Sequence, residues 1–272
     1  MSTRMKLFTS LVNISEARAW STIKLLEQSA RDVSSHANAA LLHTFSDLEY
    51  NRTVFTLAGD RDGLSSCIIE MCTTALRNID LKSHEGIHPR GGVIDLIPVH
   101  PLVNTSLEEA GSVARELANA LRKEGVSCFL YGAADEQGRS LVDRRKGLGW
   151  FKNTKLPENP SSGWTAVGAT PYVLNCNVTI DTKDMAMARR IAKAVRRPGQ
   201  VEAMAFPHGD GIEIACNLTA LDQVPPEQII SNVTDLAGRF GVGIVQRTVI
   251  GHTVDRLINL ATEALGIPKS LG

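Results

Sequence analysis

The sequence has no surplus of charge: Lys plus Arg and Asp plus Glu each total 29 among 272 residues. That excludes a nucleic-acid binder working through bulk positive charge, although not a local basic patch. No uninterrupted apolar run reaches the roughly 18 residues of a membrane span. Nor does an apolar stretch of about 7–15 residues follow the basic N-terminus, so no secretory leader is expected. Five cysteines, Cys67, Cys72, Cys128, Cys176 and Cys216, are odd in number and scattered. They offer neither a disulfide framework nor a zinc-ligand spacing, which points to a reducing compartment, the cytoplasm. What is present is an ordinary globular balance, 43% hydrophobic and 21% charged, long enough for one large domain or two small ones.

Apolar periodicity alternates between strand and helix along the chain, the mark of an α/β (α+β) fold. In the first half the pattern predicts strands over 7–12, 37–43, 53–58, 93–99 and 126–131. Helices are predicted over 16–32, 64–77 and 107–123, the last opened by a Ser106/Glu109 capping box. The second half reads as strand 172–180, helix 184–196, strands 201–206 and 212–218, helix 226–239 and strand 243–250. Pro207, His208, Gly209, Asp210 and Gly211 supply the hairpin turn. This is the β-α-β-β-α-β order of ferredoxin-like folds, with a further helix over 254–265 expected behind it. The first half follows a similar order with added elements, so two related subdomains are expected, 1–168 and 169–272, with a ligand groove between them. The likeness is one of order only. Between them, 156–163 is rich in turn formers and reads either as a linker or as a ligand loop.

The densest group of chemistry-bearing residues is Lys82-Ser83-His84-Glu85-Gly86-Ile87-His88-Pro89-Arg90-Gly91-Gly92, leading to Asp95. His84 to His88 spells H-E-x-x-H, which in zinc proteases needs one helix to face both imidazoles the same way. Gly86 inside the pattern and Pro89 after it oppose that helix. What remains is a loop displaying two histidines and an arginine. An imidazole exchanges protons near neutrality, and Arg90 offers a planar fork for a carboxylate. His43, His100, His208 and His252 have no partners at metal spacing and read as surface or core residues. Arg144-Arg145-Lys146 and Arg196-Arg197 read as solvated faces.

This group, continued through Gly92, Asp95 and Pro98, resembles the formiminotransferase signature H-x-G-E-H-P-R-x-G-x-x-D-x-x-P. Further pieces match in chain order: Asn51-Arg52-Thr53-Val54-Phe55-Thr56, Phe129-Leu130-Tyr131-Gly132, and Pro160-Ser161-Ser162 followed by Gly168-Ala169-Thr170. Asn13 and Ser15-Glu16 echo the family's N-terminal N-F-S-E-G. The resemblance spans most of 7–170. It implies a transferase that moves the formimino group of N-formiminoglutamate to N5 of tetrahydrofolate, the folate being a co-substrate and no metal being involved. It implies His88 as the catalytic histidine, with Asp95 able to orient its ring, and Asn51, Arg52 and Arg90 near substrate or folate. The family's folate loop falls on Asn159, Pro160, Ser161, Ser162, Gly163, Trp164, Thr165, Ala166, Val167 and Gly168. Trp164 is there either a ring stacked on the folate or a core residue. The implied partners are folate and an amino-acid-derived donor, with no nucleic acid and no membrane, and a homodimer left open. Members can carry a cyclodeaminase domain, and none is expected here. The chain departs from the family at Ile87, where the motif has an acid, and acquires one at Glu85. The alternative reading is therefore a folate-binding paralogue without transferase activity, and a third is an interaction module that kept only the fold.

Overall fold

A computed structural model describes residues 5–148 and 159–267. They divide into two compact units, one running through Pro171 and resuming at Val254, the other Tyr172–Thr253. Among the described residues no helix is long and apolar enough to cross a membrane.

The first unit is built from β1 (Leu7–Ile14), α1 (Trp20–Ser34), β2 (Ala39–Asp47), β3 (Arg52–Gly59), α2 (Arg61–Asn78), β4 (Ile94–Val103), α3 (Leu107–Lys123), β5 (Ser127–Gly132), α4 (Leu141–Gly147) and β6 (Trp164–Ala169). Its sheet has the order β2-β3-β1-β4-β6-β5. The pairs through β4 are antiparallel, and β6 runs parallel to both β4 and β5. Burial explains the helices. In α2, Leu64, Cys67, Ile68, Met71, Cys72 and Ala75 recur at helical spacing and are all fully buried. They join Phe55, Leu57, Ile97 and Leu117 in one core. Helix α3 starts on the predicted capping box: Glu109 N–H donates to Ser106 Oγ (3.1 Å) and Ser106 N–H to the Glu109 carboxylate (2.8 Å).

The second unit comprises β7 (Leu174–Ile180), α5 (Met185–Val195), β8 (Val201–His208), β9 (Gly211–Leu218), α6 (Pro226–Arg239) and β10 (Ile244–Ile250). Its sheet is antiparallel throughout in the order β10-β7-β9-β8. Relative to chain order this repeats the arrangement β4-β1-β3-β2 of the first unit. The α/β class with two sheets thus stands as the periodicity predicts. The hairpin turn is tighter than expected, because Pro207 and His208 belong to β8 and only Gly209 and Asp210 turn. An edge strand such as β8 tolerates a proline because it need not donate on both sides.

One expectation is corrected. The final helix, α7 (Val254–Ala264), does not lie behind the second sheet but belongs to the first unit. Its Ala261 forms a small separate core with Leu7 and Ala58, against which Leu42 and Leu102 pack. An amphipathic helix follows uncovered apolar surface rather than chain order.

Candidate active site

Residues 79–93 join α2 to β4; after a single 3-10 turn over Leu81–Ser83, residues 84–93 are non-helical and pinned by side chains from elsewhere in the first unit. Asn51, in the β2–β3 turn with φ +47°, accepts from Ala17 N–H (2.8 Å) and donates to the Glu85 carbonyl (3.0 Å). Asparagine tolerates this left-handed backbone better than most residues. The Ser15 hydroxyl donates to the Gly92 carbonyl (2.7 Å), and His84 Nδ1 lies 3.0 Å from the Ser15 carbonyl. Arg90 donates to the His84 carbonyl (2.7 Å). The two histidines are therefore held in an extended loop, and the helix that H-E-x-x-H zinc chemistry needs is not formed.

Asp95 owes its position to a bulge. Asn13 pairs with Leu96 and Ile14 with Ile94, so Asp95 is the extra residue at that step. Bulges re-aim side chains beside functional sites. The carboxylate is completely buried, which would be costly without partners. It has them: Gly91 N–H at 2.6 Å, Arg145 at 3.1 Å and Arg52 at 3.9 Å.

The half-buried His88 ring packs edge-on to Tyr50, with ring centroids 4.8 Å apart. Its Nδ1 is 2.6 Å from the Pro89 carbonyl and 3.4 Å from an Arg52 nitrogen. A carbonyl accepts and a guanidinium only donates, so the two neighbours ask opposite things of Nδ1. The much shorter carbonyl contact assigns the proton to Nδ1 and the basic lone pair to Nε2. Burial, reinforced by the positive charges of Arg52 and Arg145, holds the imidazole well below its ordinary pKa. His88 is therefore neutral at neutral pH. Asp95 reaches the ring through Arg52, which lies near both.

The segment matched to the folate loop has two parts. In the first, the Asn159 side chain accepts from Ser161 N–H (3.0 Å) and Ser162 N–H (3.4 Å), and Gly163 N–H donates to the Asn159 carbonyl (2.7 Å). Gly163 closes this turn at φ +73°, where a Cβ would also strike the Gly91 and Gly92 backbone. The turn is joined to the histidine loop by Val93 N–H to Ser162 O (2.8 Å) and Trp164 N–H to Gly91 O (2.9 Å). Asn159 and Pro160 are exposed, and Ser161 and Ser162 half-buried. In the second part Thr165, Ala166, Val167 and Gly168 are buried within β6. Trp164, half-buried, packs its indole over Gly91 and 5.0 Å from the Phe129 ring. Of the turn-rich stretch, Leu156, Pro157 and Glu158 lie outside the described residues.

Comparison with known proteins identifies the family. The family described as the formiminotransferase domain, N-terminal subdomain, matches residues 7–171. A formiminotransferase cyclodeaminase-like protein of Arabidopsis thaliana is 32% identical, over 91% of this chain and 93% of its own. A glutamate formimidoyltransferase of Streptococcus pyogenes serotype M1 is 28% identical, over 90% of this chain and 88% of its own. Another glutamate formimidoyltransferase, from Thermoplasma acidophilum, is 26% identical over 94% and 91%. The chain belongs to the formiminotransferase family.

Two of the formiminotransferase motifs acquire a packing reason. Tyr131 on β5 pairs with Gly168 on β6, and a Cβ at Gly168 would fall inside the tyrosine ring. The same ring carries a hydroxyl that interacts electrostatically with Arg145. Arg145 is the residue that sequence reasoning missed. Of the predicted solvated face only Lys146 is exposed: Arg144 is half-buried over the Phe129 ring, and the Arg145 side chain is 13% exposed and paired with Asp95, 50 residues away. The available signal was the acid itself: a carboxylate in an apolar strand requires a cation.

Proposed function

We propose that this protein transfers a formimino group from N-formiminoglutamate to N5 of tetrahydrofolate, with folate as co-substrate and no metal. The observation that carries this reading is His88, held neutral with its lone pair on Nε2. As N5 attacks the formimino carbon, the new N–C bond forms and the N5 proton passes to Nε2. The C–N bond to glutamate then breaks, and the imidazolium returns that proton to the departing amine. Arg52, Arg90 and Arg145 stand against one carboxylate, Asp95, so the neighbourhood carries surplus positive charge suited to the carboxylates of donor or folate. In this reading Arg52 or Arg90 binds a substrate carboxylate, and the exposed part of the 159–163 turn meets the folate. A cytoplasmic role in histidine breakdown goes with that chemistry, and the five free thiols suit a reducing compartment.

A general base contributes about 10² to 10⁴ in rate, roughly 3 to 5 kcal/mol of barrier. His88→Ala should remove that much transfer, measured as 5-formimino product, and leave folate affinity nearly unchanged in calorimetry. His84→Ala should cost far less, since its place in the motif is not that of the family's catalytic histidine. Equal losses at both histidines, or an unaffected His88→Ala, would remove the mechanism. The second reading, folate binding without transfer, is favoured by Ile87, which is 49% exposed where the motif has an acid. Folate binding with no product, repaired by Ile87→Glu, would decide for it.

A further inference from the structure

The geometry points to Arg145 as a positioning residue for the transfer: by holding Asp95 from α4, it keeps Arg52 directed at the His88 imidazole. The inference rests on the transferase reading above for its catalytic consequence, but not for its geometry.

Asp95 has two carboxylate oxygens and three cationic or N–H claimants. Gly91 N–H takes Oδ1 at 2.6 Å. Arg145 takes Oδ2 at 3.1 Å, and Arg52 stands off from that same oxygen at 3.9 Å while lying 3.4 Å from His88 Nδ1. Arg52 also lies over the Tyr50 ring at 5.8 Å, the ring that packs against His88. A lone guanidinium beside a buried carboxylate closes to a direct, often bidentate pair. Arg52 does not do so here, because Arg145 already occupies Oδ2. Remove Arg145, and Arg52 is the nearest cation left to satisfy the buried charge, which draws it away from the imidazole.

Helix α4 is built to deliver this contact. Ser140 caps it by accepting from Asp143 N–H (3.1 Å), and Leu141 and Leu148 pack against the cluster of Phe129, Tyr131 and Ala166. Arg144 turns to the other side and lies over the Phe129 ring at 5.4 Å. Trp164, in the same cluster, sits on Gly91, whose N–H holds the other oxygen of Asp95. The helix and the carboxylate are thus fixed to one piece of sheet. The groups around His88 are Arg52 and Tyr50 at the β2–β3 end, Asp95 on β4, Arg145 on α4, and His84, Glu85 and Arg90 in its own loop. Of the charges among them, Arg52 and Arg145 are those that depress its pKa, so losing Arg145 removes one positive charge and displaces the other.

The test is Arg145→Met, which keeps an apolar stem without charge, beside Arg145→Lys, which keeps the charge without the fork. In the full-length protein kcat and KM are measured against pH, and the His88 imidazole is titrated by NMR. Arg145→Met should lower kcat about ten- to a hundredfold with little change in KM. The acid limb of kcat and the imidazole titration should both move up by on the order of one pH unit. Arg145→Lys should restore the titration and most of kcat. Arg145→Gln serves in place of a methionine variant that fails to fold, with the same upward shift expected. A uniform loss of kcat with an unmoved titration would leave Arg145 a purely structural role and overturn the inference, as would a loss confined to KM. A wild-type protein without transfer would fail the functional reading alone, because the NMR titration still decides whether Arg145 governs His88.

Discussion

The two sheets share one strand order, β4-β1-β3-β2 in one unit and β10-β7-β9-β8 in the other, yet the candidate active site is built on the first. The difference lies at one equivalent strand. In the second unit, α6 passes to β10 through 240–243, a short turn closed by Gly241 at φ +71°, and β10 is an edge strand with Val245 58% exposed. In the first unit, α2 passes to β4 through 79–93, which displays His84, His88 and Arg90, and β4 is covered by β6 and β5. The longer connection carries the histidine loop, and beside the added strands β5 and β6 stand the turn that clasps it and the helix that brings Arg145. A rigid scaffold carries the reactive groups on an added loop, as is general. The candidate site thus lies where the first unit has elements with no counterpart among the described residues of the second.

The comparison can be broken by acid, which should give the largest effect on stability. His43, His84, His88 and His100 in the first unit are all held below the ordinary imidazole pKa by burial. His100, 2% exposed and 3.0 Å from the Thr170 carbonyl, is pushed down to about 4. The folded value lies below the unfolded one, so the stability it protects is whole above about pH 6.5 and is lost progressively as pH falls towards 4. For this fully buried ring the loss is about 3 kcal/mol across that window. Hydrogen exchange at pH 7 and pH 4.5 should show the β1–β4 amides losing protection before those of β7 and β9. His100→Gln should narrow the gap. Simultaneous loss in both sheets would contradict the contrast drawn between them.

A smaller effect is expected at Gly91, where the added loop meets β6. A Cβ there would fall inside the Trp164 indole, whose neighbour is the Phe129 ring, so the clash cannot be relieved by swinging a flexible tip. Gly91→Ala should destabilise by about 1–3 kcal/mol, as overpacking does. Because Gly91 N–H also holds Asp95, the substitution should lower transfer as well as the melting temperature. A variant as stable as the parent would mean that the loop and β6 are less tightly joined than the geometry requires.

Much of this contrast was legible in the sequence where local signals end an element sharply. Helix α3 runs over the predicted residues because Ser106 and Glu109 cap it reciprocally, and α6 because Pro226 starts it. The histidine loop was legible because Gly86 and Pro89 forbid the helix that its H-E-x-x-H spelling suggests. Helix α4 was not, because seven residues with three consecutive basic side chains show no apolar stripe. Arg145 was hidden for a deeper reason: its partner is 50 residues distant, and a pair made by tertiary packing leaves no spacing to read. Likewise the bulge that frees Asp95 is a property of the register between β1 and β4, not of either strand alone. The final helix misled because an apolar stripe does not say which sheet it will cover, and here it packs with Leu7 and Ala58 of the first.

The smallest effect belongs to the plain copy, and its sign is reversed. Gly238 lies in the last turn of α6, exposed, with a helical backbone and nothing within 4 Å of where a Cβ would stand. Glycine in that setting brings no steric relief and loses more backbone freedom on folding than alanine. The left-handed turn that ends the helix is made by Gly241, so Gly238 is not needed for it. Its carbonyl, which accepts from Gly241 N–H at 2.9 Å, is kept by any residue. Gly238→Ala should therefore stabilise by about 0.5–1 kcal/mol, raising the melting temperature of the second unit by a few degrees and leaving transfer untouched. Set beside Gly91→Ala, it gives two glycine-to-alanine changes of opposite sign, one in the loop before β4 and one in the helix turn that leads to β10. A loss of stability at Gly238 would show that the turn before β10 is as tightly constrained as the loop before β4, and the contrast between the copies would then rest on chemistry alone.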